Sequence, residues 1–576
     1  MDKEIELLIR KFALANAVEH NGKCMVGSVV GKVISQMPVL KEDIMELKPF
    51  VEKLVPEINS MSLEQQNEEL NKLGWVEEKV VQKNEEKKLP DISENIAKNL
   101  VTRFAPNPNG AMHLGHSRVA ILPYEYVKKY KGKFLLRFED TDPKVKKAEK
   151  VNYKWLKEDL KWLGIKWNKI YIQSKRLKIY YKYAERLLKL HSAYLCECKS
   201  DIWKQHVNEK RPCPCRSLTI QENLQRWKRF IGANKGQKGV DKQCGSSKKS
   251  YKEGQVVLRI KTDMEHPNPA IRDWPAMRIV DKPSHPFSKL KVWPLYNFAA
   301  AIDDHEMKVT LILRGQEHAT NETKQRYLYN YFSWDYPKVL IQGRLLFPGF
   351  VLSKSLIKKG IEEGIYDGWE DPKLGTIRAL KRRGFSPEAI RNFILDIGAK
   401  SSDATVAFEN LAAFNKKIVD EKANRYFFVN KPVEIKIGSH FRKVLLDLNP
   451  ANHKKKRTLI AREKLLLQMD DIENGKEARL IGLGNIFVRT DASCEIINDD
   501  LEYAKQKHLK KIHWLPNDKK QIRKMEIILP DKRVEGYVEK NILKEKIGNV
   551  VQLERFGFVR LEKISKNKVV AVFGHK

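Results

Sequence analysis

Residues 101–139 read VTRFAPNPNGAMHLGHSRVAILPYEYVKKYKGKFLLRFE, and this stretch decides the fold. Its pattern predicts a strand at Val101–Phe104, a turn rich in Pro and Gly, a helix from about Leu114, and a second strand at Lys133–Glu139. A strand–helix–strand unit predicts a parallel sheet of the α/β class, whose ligand lies at the carboxyl ends of the strands. We therefore expect the functional site at that edge of the sheet.

Two short motifs point to phosphate chemistry. His113 and His116 stand three apart around Gly115, at the predicted start of the helix, and the positive end of a helix suits a bound phosphate. Far downstream, Ser353-Lys354-Ser355 places a compact ammonium in a polar loop, where it can offset charge on a departing pyrophosphate. Either motif alone is a weak signal, because histidine pairs and Lys/Ser loops are common on surfaces. Together they resemble the two signatures of class I aminoacyl-tRNA synthetases.

The resemblance extends over essentially the whole chain, and the amino-acid sequence of the motifs is most similar to that of archaeal-type glutamyl-tRNA synthetases. It implies an enzyme that uses ATP with Mg²⁺ to activate L-glutamate and then esterifies the terminal adenosine of tRNA(Glu), with tRNA(Gln) as a further candidate acceptor. The segments that carry the resemblance are RFAPNPNGAMHLGH (103–116), LRFEDTDP (136–143), RDWPAMRIVD (272–281), VWPLYNFA (292–299), LRGQEH (313–318) and LSKSLIKKGIEEGIYDGW (352–369).

The same resemblance implies roles for individual residues. His113, His116 and Lys354 would be the catalytic residues, acting on the phosphates of ATP. The expected ATP-binding residues are these three together with Pro106, Gly110, Gly115, Gly343, Arg344, Leu345, Ser353 and Ser355. The expected amino-acid-binding residues are Arg103, Glu139, Tyr296 and Arg314.

Each amino-acid-binding assignment has a purely structural alternative. Glu139 would meet the substrate ammonium, or else pair locally with Arg137. Arg314 offers its guanidinium to the side-chain carboxylate of glutamate, or else points to a phosphate or to a structural acid, Asp303 or Asp304. In the same way, Arg103 can brace the sheet, and Tyr296 can belong to the core.

Four cysteines form two close pairs, Cys196-x-Cys198 and Cys213-x-Cys215. Four thiolates in such an arrangement are the ligand set of a tetrahedral structural zinc site, and four protein ligands leave no open position for a substrate. The alternative is four reduced cysteines without a metal, since CxC is less diagnostic than CxxC. We expect zinc.

The chain is long enough for several domains. We predict an α/β Rossmann-type class I catalytic domain with an inserted tRNA acceptor-binding domain, an N-terminal helical domain and a C-terminal all-β tandem barrel that binds the anticodon. The predicted boundaries are 1–81 for the helical domain, 82–99 for a linker, 100–193 and 293–375 for the two catalytic halves, 194–292 for the insertion, 376–425 for a helical connection, and 426–576 for the barrels.

Charge favours a polyanionic partner. The net charge is +36, and because residues 1–100 contain 14 basic and 18 acidic side chains, the rest of the chain carries +40. The sequence shows neither an apolar run of membrane-spanning length nor a signal-peptide core, and its seven cysteines are an odd number. We therefore expect a cytoplasmic protein, without a membrane partner, that acts as a monomer.

Three other functions are compatible with parts of the sequence. Glutaminyl-tRNA synthetases share nearly all of these motifs, and the position of Arg314, uncharged in those relatives, is the feature that separates the two. A small-molecule nucleotidyltransferase using HxGH is a more distant alternative, which the cysteine-bearing insertion, the basic barrels and LSKS disfavour. A non-catalytic RNA-binding scaffold is disfavoured because both signatures are intact.

Overall fold

The computed structural model describes residues 3–19, 22–37, 40, 44–73, 89–234, 250–438, 441–489 and 493–576. Much of the predicted linker, at 82–88, and the end of the predicted helical domain, at 74–81, lie outside the described residues. The chain divides into two compact units, Met1–Glu86 and Lys87–Lys576.

The first unit is helical, as its sequence predicts. Its apolar core includes Ile9, Val29 and Ile58, each fully buried. Ser62 begins the last helix with a capping box, since its hydroxyl accepts from the Gln65 N–H while the Gln65 side chain accepts from the Ser62 N–H. The helices are α1 (Lys3–Glu19), α2 (Val26–Gln36), α3 (Ile44–Ser60) and α4 (Leu63–Lys72).

The second unit opens with the predicted strand–helix–strand motif, which is confirmed. The first two strands pair in parallel, with Val101 beside Lys133 and Phe104 beside Leu136. The elements of this part are α5 (Glu94–Lys98), β1 (Val101–Phe104), α6 (Leu114–Tyr130), β2 (Lys133–Phe138), α7 (Lys150–Trp162), β3 (Lys169–Ile172) and α8 (Leu177–Lys189).

An antiparallel sheet then interrupts the α/β pattern. Its strand order is β4-β5-β6-β7, and its core is continuous with α8 and the following helices. Its elements are β4 (Ala193–Cys196), α9 (Ser200–Asn208), α10 (Ile220–Ile231), β5 (Val257–Ile260), β6 (Pro275–Ile279) and β7 (Val292–Pro294).

The chain returns to the parallel sheet and completes it in the order β3-β2-β1-β8-β9, with every pairing parallel. The first returning strand lies next to β1 and the second lies next to the first, so residues far apart in sequence meet at one carboxyl edge. The elements are α11 (Tyr296–Glu306), β8 (Leu311–Gly315), α12 (Ala319–Tyr331), β9 (Lys338–Gln342), β10 (Leu345–Leu346), α13 (Lys354–Glu362), α14 (Ile377–Arg382), α15 (Pro387–Ile397), β11 (Ala404–Thr405) and α16 (Phe408–Val419).

The two faces of this sheet pack against different partners. Phe104, Leu136 and Leu313 face α6 in the largest apolar core. Because side chains alternate along a strand, the residues between them face the opposite side, where Ile312 packs with Leu135 and the end of α11. This alternation therefore decides on which face of the sheet each functional residue of β1, β2 and β8 lies.

The C-terminal part consists mainly of short strands, as predicted. One sheet has the order β12-β25-β26-β27-β23-β24-β13, and only Phe427 separates its first strand from its last, so the chain closes this sheet into a barrel. The elements are β12 (Arg425–Tyr426), β13 (Phe428–Asn430), β14 (Pro432–Lys436), β15 (Arg442–Asp447), β16 (Lys456–Ala461), β17 (Lys464–Gln468), β18 (Glu477–Leu480), β19 (Gly484–Val488), β20 (Cys494–Asn498), α17 (Leu501–Gln506), β21 (Lys510–Ile512), β22 (Leu515–Pro516), β23 (Ile522–Ile528), β24 (Arg533–Glu539), β25 (Val550–Leu553), β26 (Gly557–Ile564) and β27 (Lys568–His575).

The strands from β14 to β22 enclose a second apolar core, separate from that of the barrel. Trp514 lies fully buried in it, and its indole N–H donates to the Ile481 carbonyl. Trp514 is therefore a core residue. Within the described ranges, no helix combines the length and apolar character needed to cross a membrane.

Candidate active site

The two histidines of HLGH lie side by side at the start of α6. His113 is the residue before the helix, and its ring centroid is 3.7 Å from that of His116. A Cβ at Gly115 would stand 3.2 Å from the His113 ring, so glycine gives this imidazole its room. Both rings therefore lie at the positive end of the helix dipole.

Both imidazoles are neutral near pH 7. Burial, together with the charge of Lys354, lowers the pKa of His113 to about 3. The same causes and the neighbouring ring hold the pKa of His116 well below its usual range. Neutral imidazoles can donate one N–H each to a phosphate oxygen, and His113 Nδ1 is a buried atom without a protein partner among the described residues.

Lys354 joins this group from the other end of the catalytic region. Ser353 caps α13, its hydroxyl accepting from the Leu356 N–H, and Lys354 is the first residue of the helix, with Ser355 exposed after it. The Lys354 Nζ donates to the Asn107 carbonyl at 2.9 Å, in the turn before the histidines. The structure thus brings HLGH and LSKS together, and burial, with the charge of Lys146, lowers the pKa of Lys354 to about 7.

Residues 343–345, the segment where contacts to the adenine of ATP are expected, are held in place by α6. Arg118, two residues after His116, is 2% exposed, and its guanidinium donates to the carbonyls of Gly343 (2.7 Å), Gly398 (2.9 Å) and Lys400 (3.2 Å). The Arg344 N–H donates to Asp403, while Leu345 pairs with the strand β11.

The glycines of this region serve close packing. A Cβ at Gly343 would meet the Ser402 backbone at 2.0 Å, and one at Gly110 would meet the Trp369 indole at 2.3 Å. The Trp369 side chain therefore requires a glycine at position 110. Pro106 is buried, and its carbonyl accepts from the Glu139 N–H at 3.0 Å.

Three arginines face the opposite side of the sheet, on three neighbouring strands. Arg137 on β2, Arg103 on β1 and Arg314 on β8 are 0%, 7% and 5% exposed. Asp304 of α11 accepts from Arg103 at 3.0 Å and from Arg137 at 2.7 Å. Burial opposes ionisation of Asp304, yet these two guanidinium groups lower its pKa to about 2. Two of the three guanidinium groups thus share the single negative charge of Asp304.

Arg314 differs from the other two because its neighbours are neutral. Its Nη2 donates to Gln325 Oε1 at 3.1 Å and to the Tyr336 hydroxyl at 3.4 Å. Its Nε and Nη1 atoms are buried and have no acceptor among the described residues. The alternative that Arg314 pairs with Asp303 or Asp304 is not what the structure shows, and unpaired buried donors favour a ligand with a negative charge.

Glu139 and Tyr296 border the same face. Glu139 pairs with Arg137 at 2.9 Å, as its structural alternative proposed, and burial raises its pKa against the opposing charges of Arg137 and Arg103. Tyr296 begins α11 and is 37% exposed, so it is not a core residue. Arg103 braces the sheet through Asp304.

Sequence reasoning missed several residues that shape the site. Gln325 and Tyr336 lie in segments without a recognisable motif. Arg118 and Trp369 lie in segments with a motif, but nothing local indicates the distant residues that they contact. Asp304 was considered only as a partner of Arg314. Its true partners, Arg103 and Arg137, lie 201 and 167 residues away in sequence, so no local signal connects them.

The four cysteines converge beside the inserted sheet, at the end of β4, whose last residue is Cys196. Their sulfur atoms all lie within 4.8 Å of one another, with Cys196–Cys213 and Cys198–Cys215 each at 3.9 Å. A tetrahedral zinc with Zn–S bonds of about 2.3 Å requires sulfur atoms about 3.8 Å apart. The donor set and its spacing therefore fit a Zn²⁺ ion closed off from substrate.

Family comparisons agree with this architecture. Residues 99–421 match the family described as tRNA synthetases class I (E and Q), catalytic domain. Residues 423–504 and 511–562 match two families described as the anti-codon binding domain of the same synthetases. The chain therefore belongs to the class I tRNA synthetases (E and Q), enzymes that use ATP with Mg²⁺.

Relatives that match over the full length of both chains point to one kind of synthetase within this class. The chain is 45% identical over 593 residues to a protein of Pyrococcus furiosus, and 46% identical over 592 residues to one of Pyrococcus abyssi. It is 40% identical over 589 residues to a protein of Sulfurisphaera tokodaii. Each match covers 100% of both chains, and each of the three relatives is named glutamate–tRNA ligase.

Proposed function

We propose that this chain is a glutamate–tRNA ligase. An oxygen of the glutamate α-carboxylate attacks the α-phosphorus of ATP, and pyrophosphate leaves. A hydroxyl of the terminal tRNA adenosine then attacks the carbonyl of glutamyl-adenylate, and AMP leaves. The protein forms no covalent bond in either step, so it acts by positioning the reactants and by stabilising charge.

The phosphate-handling groups are His113, His116 and Lys354. The two neutral imidazoles donate N–H groups to phosphate oxygens at the start of α6, and the ammonium approaches from α13 to offset charge on the departing pyrophosphate. Mg²⁺ accompanies the nucleotide. Arg344, Leu345 and the other expected ATP-binding residues would complete the nucleotide site.

The amino acid lies on the face with three arginines. We propose that Glu139 binds the substrate ammonium and that Arg314 binds the side-chain carboxylate. Tyr296 and Arg103 would line the pocket beside them. The single observation that carries the choice of glutamate is the Arg314 guanidinium, which is buried and has no acid bonded to it among the described residues. Glutamine would leave N–H groups facing N–H groups there, which disfavours the glutaminyl alternative.

Two further assignments concern metal and RNA. We propose that Cys196, Cys198, Cys213 and Cys215 hold a structural Zn²⁺, which would fix the inserted domain that receives the tRNA acceptor end. The C-terminal barrels would bind the anticodon of tRNA(Glu), and tRNA(Gln) is the second candidate substrate. We expect a cytoplasmic monomer, in which reduced thiolates remain available to the metal.

The test of this function is the charging of purified tRNA(Glu) and tRNA(Gln) transcripts by the full-length protein. With ATP and Mg²⁺, labelled glutamate should be esterified to tRNA(Glu) efficiently, whereas labelled glutamine should not. Charging of tRNA(Gln) with glutamate in the same experiment decides whether one acceptor or two are used. Esterification of glutamine in preference to glutamate would overturn the proposal.

A further inference from the structure

Arg314 is held in its buried position by neutral side chains, and this is unusual among the charged groups around it. Arg103 and Arg137, on the same face of the sheet, share the carboxylate of Asp304. Arg176, nearby, pairs with Asp303 at 2.8 Å. Burying a charge is costly unless it is paired. A buried guanidinium whose only bonded partners in the described part of the chain are an amide and a phenol therefore needs an explanation.

The support of Arg314 is a connected hydrogen-bond network. Gln325 Oε1 accepts from Arg314 at 3.1 Å and from the Tyr336 hydroxyl at 2.8 Å. The Gln325 amide nitrogen donates to Asn297 Oδ1 at 3.3 Å, and the Asn297 nitrogen donates to Asn321 at 3.0 Å. These contacts fix which end of the Gln325 amide faces the guanidinium, since a flipped amide would set donors against donors.

We propose that Gln325 and Tyr336 are positioning residues that determine substrate specificity. They hold Arg314 through one nitrogen with neutral acceptors, and so keep its positive charge available for an anionic amino-acid side chain. This inference rests on the proposed function and deepens it. A carboxylate at position 325 would hold the guanidinium equally well but would neutralise it.

The direct test is Gln325→Glu, which preserves size and places a negative charge at the atom that already accepts from Arg314. We expect the ratio of kcat/KM for glutamate to that for glutamine to fall by on the order of 10², mainly through KM for glutamate. The KM for ATP and the thermal unfolding midpoint should stay near those of the unaltered protein, because Arg314 keeps a partner.

Tyr336→Phe provides a milder variant that removes only the hydroxyl. It should reduce the same ratio by roughly threefold to tenfold, since a neutral hydrogen bond contributes less than a charge. The matched control is Tyr329→Phe, because Tyr329 packs against Tyr336 with ring centroids 4.7 Å apart but donates its hydroxyl to the Ala301 carbonyl. The control should leave the ratio unchanged.

The unaltered protein is measured first with tRNA(Glu), glutamate and glutamine, so failure of the proposed function is seen separately. If it charges glutamate and Gln325→Glu keeps the full ratio, the inference is wrong. Equal losses toward glutamate, glutamine and ATP would also overturn it, because they indicate a merely structural role. Should Gln325→Glu fail to fold, Tyr336→Phe against Tyr329→Phe decides by the same ratio.

Discussion

Lys354 is the side chain whose protonation state matters most to adenylate formation. It lies half-buried beside two neutral imidazoles, and desolvation together with the charge of Lys146 lowers its pKa to about 7. A lysine with a lowered pKa carries its charge below that pKa and loses it as the pH rises. In the free enzyme the ammonium that should meet the phosphates is therefore partly deprotonated just above neutrality.

We expect kcat/KM for ATP in pyrophosphate exchange to fall as pH rises through about 7 to 8, while kcat falls at higher pH because bound phosphate favours the ammonium. Lys354→Ala should slow adenylate formation by on the order of 10² to 10³ and remove this limb of the profile. Exchange is measured at several pH values with tRNA(Glu) present. A flat profile for the unaltered protein would contradict this role.

Arg118 shows how one helix positions two distant segments. It lies on α6 with the histidines, and its guanidinium binds the main-chain carbonyls of Gly343, Gly398 and Lys400. Burial lowers its pKa, and no acid is bonded to the guanidinium in the part of the chain that the structure describes. Its role is to connect the start of α6 to the segment expected to hold adenine.

Arg118→Lys should therefore impair ATP binding more than glutamate binding. A lysine cannot reach three carbonyls at once, and each unpaired buried carbonyl costs about 1–3 kcal/mol. We expect a higher KM for ATP, an almost unchanged KM for glutamate and a lower unfolding midpoint. Lys128→Arg, on the exposed end of the same helix, serves as the control and should change none of these values.

The cysteine cluster makes a separate prediction for the inserted sheet. Elemental analysis should find about one zinc per chain, lost in Cys213→Ser/Cys215→Ser. Charging of tRNA should fall in that variant, whereas ATP–pyrophosphate exchange should be affected less. Four thiolate ligands leave the zinc no open position for a substrate, so the metal takes no part in adenylate formation. Cys24→Ser is the matched control. Metal-free protein with full charging activity would leave the cysteines as simple thiols.

Local sequence patterns predicted the elements well and the long-range contacts poorly. VTRF, the Pro/Gly turn and HLGH each carry a local signal, so β1, α6 and the parallel partner β2 were predictable. The pairing of Arg103 with Asp304 was not, because it depends on where α11 packs after a long insertion. Gly110 shows the same limit, since the indole that requires a glycine there belongs to Trp369, far along the chain.

The charge of the whole molecule leads to a prediction for tRNA binding. Residues after 100 carry a net +40, and each phosphate neutralised releases condensed counterions. With about six or more phosphate contacts, the affinity for tRNA(Glu) should fall by about 10³-fold or more between 50 and 200 mM salt. Filter binding across this range measures the slope, and affinity that hardly changes with salt would count against an electrostatic interface.

The most direct test of the account is a comparison of kcat/KM for glutamate and glutamine in the charging of tRNA(Glu), with the unaltered protein and with Arg314→Ala. We predict that the variant loses about 2–4 kcal/mol of transition-state stabilisation toward glutamate, the magnitude of a broken buried charge pair. Its discrimination against glutamine should shrink with that loss, while its KM for ATP stays the same. An unchanged ratio between the two amino acids would remove Arg314 from the pocket and contradict the account.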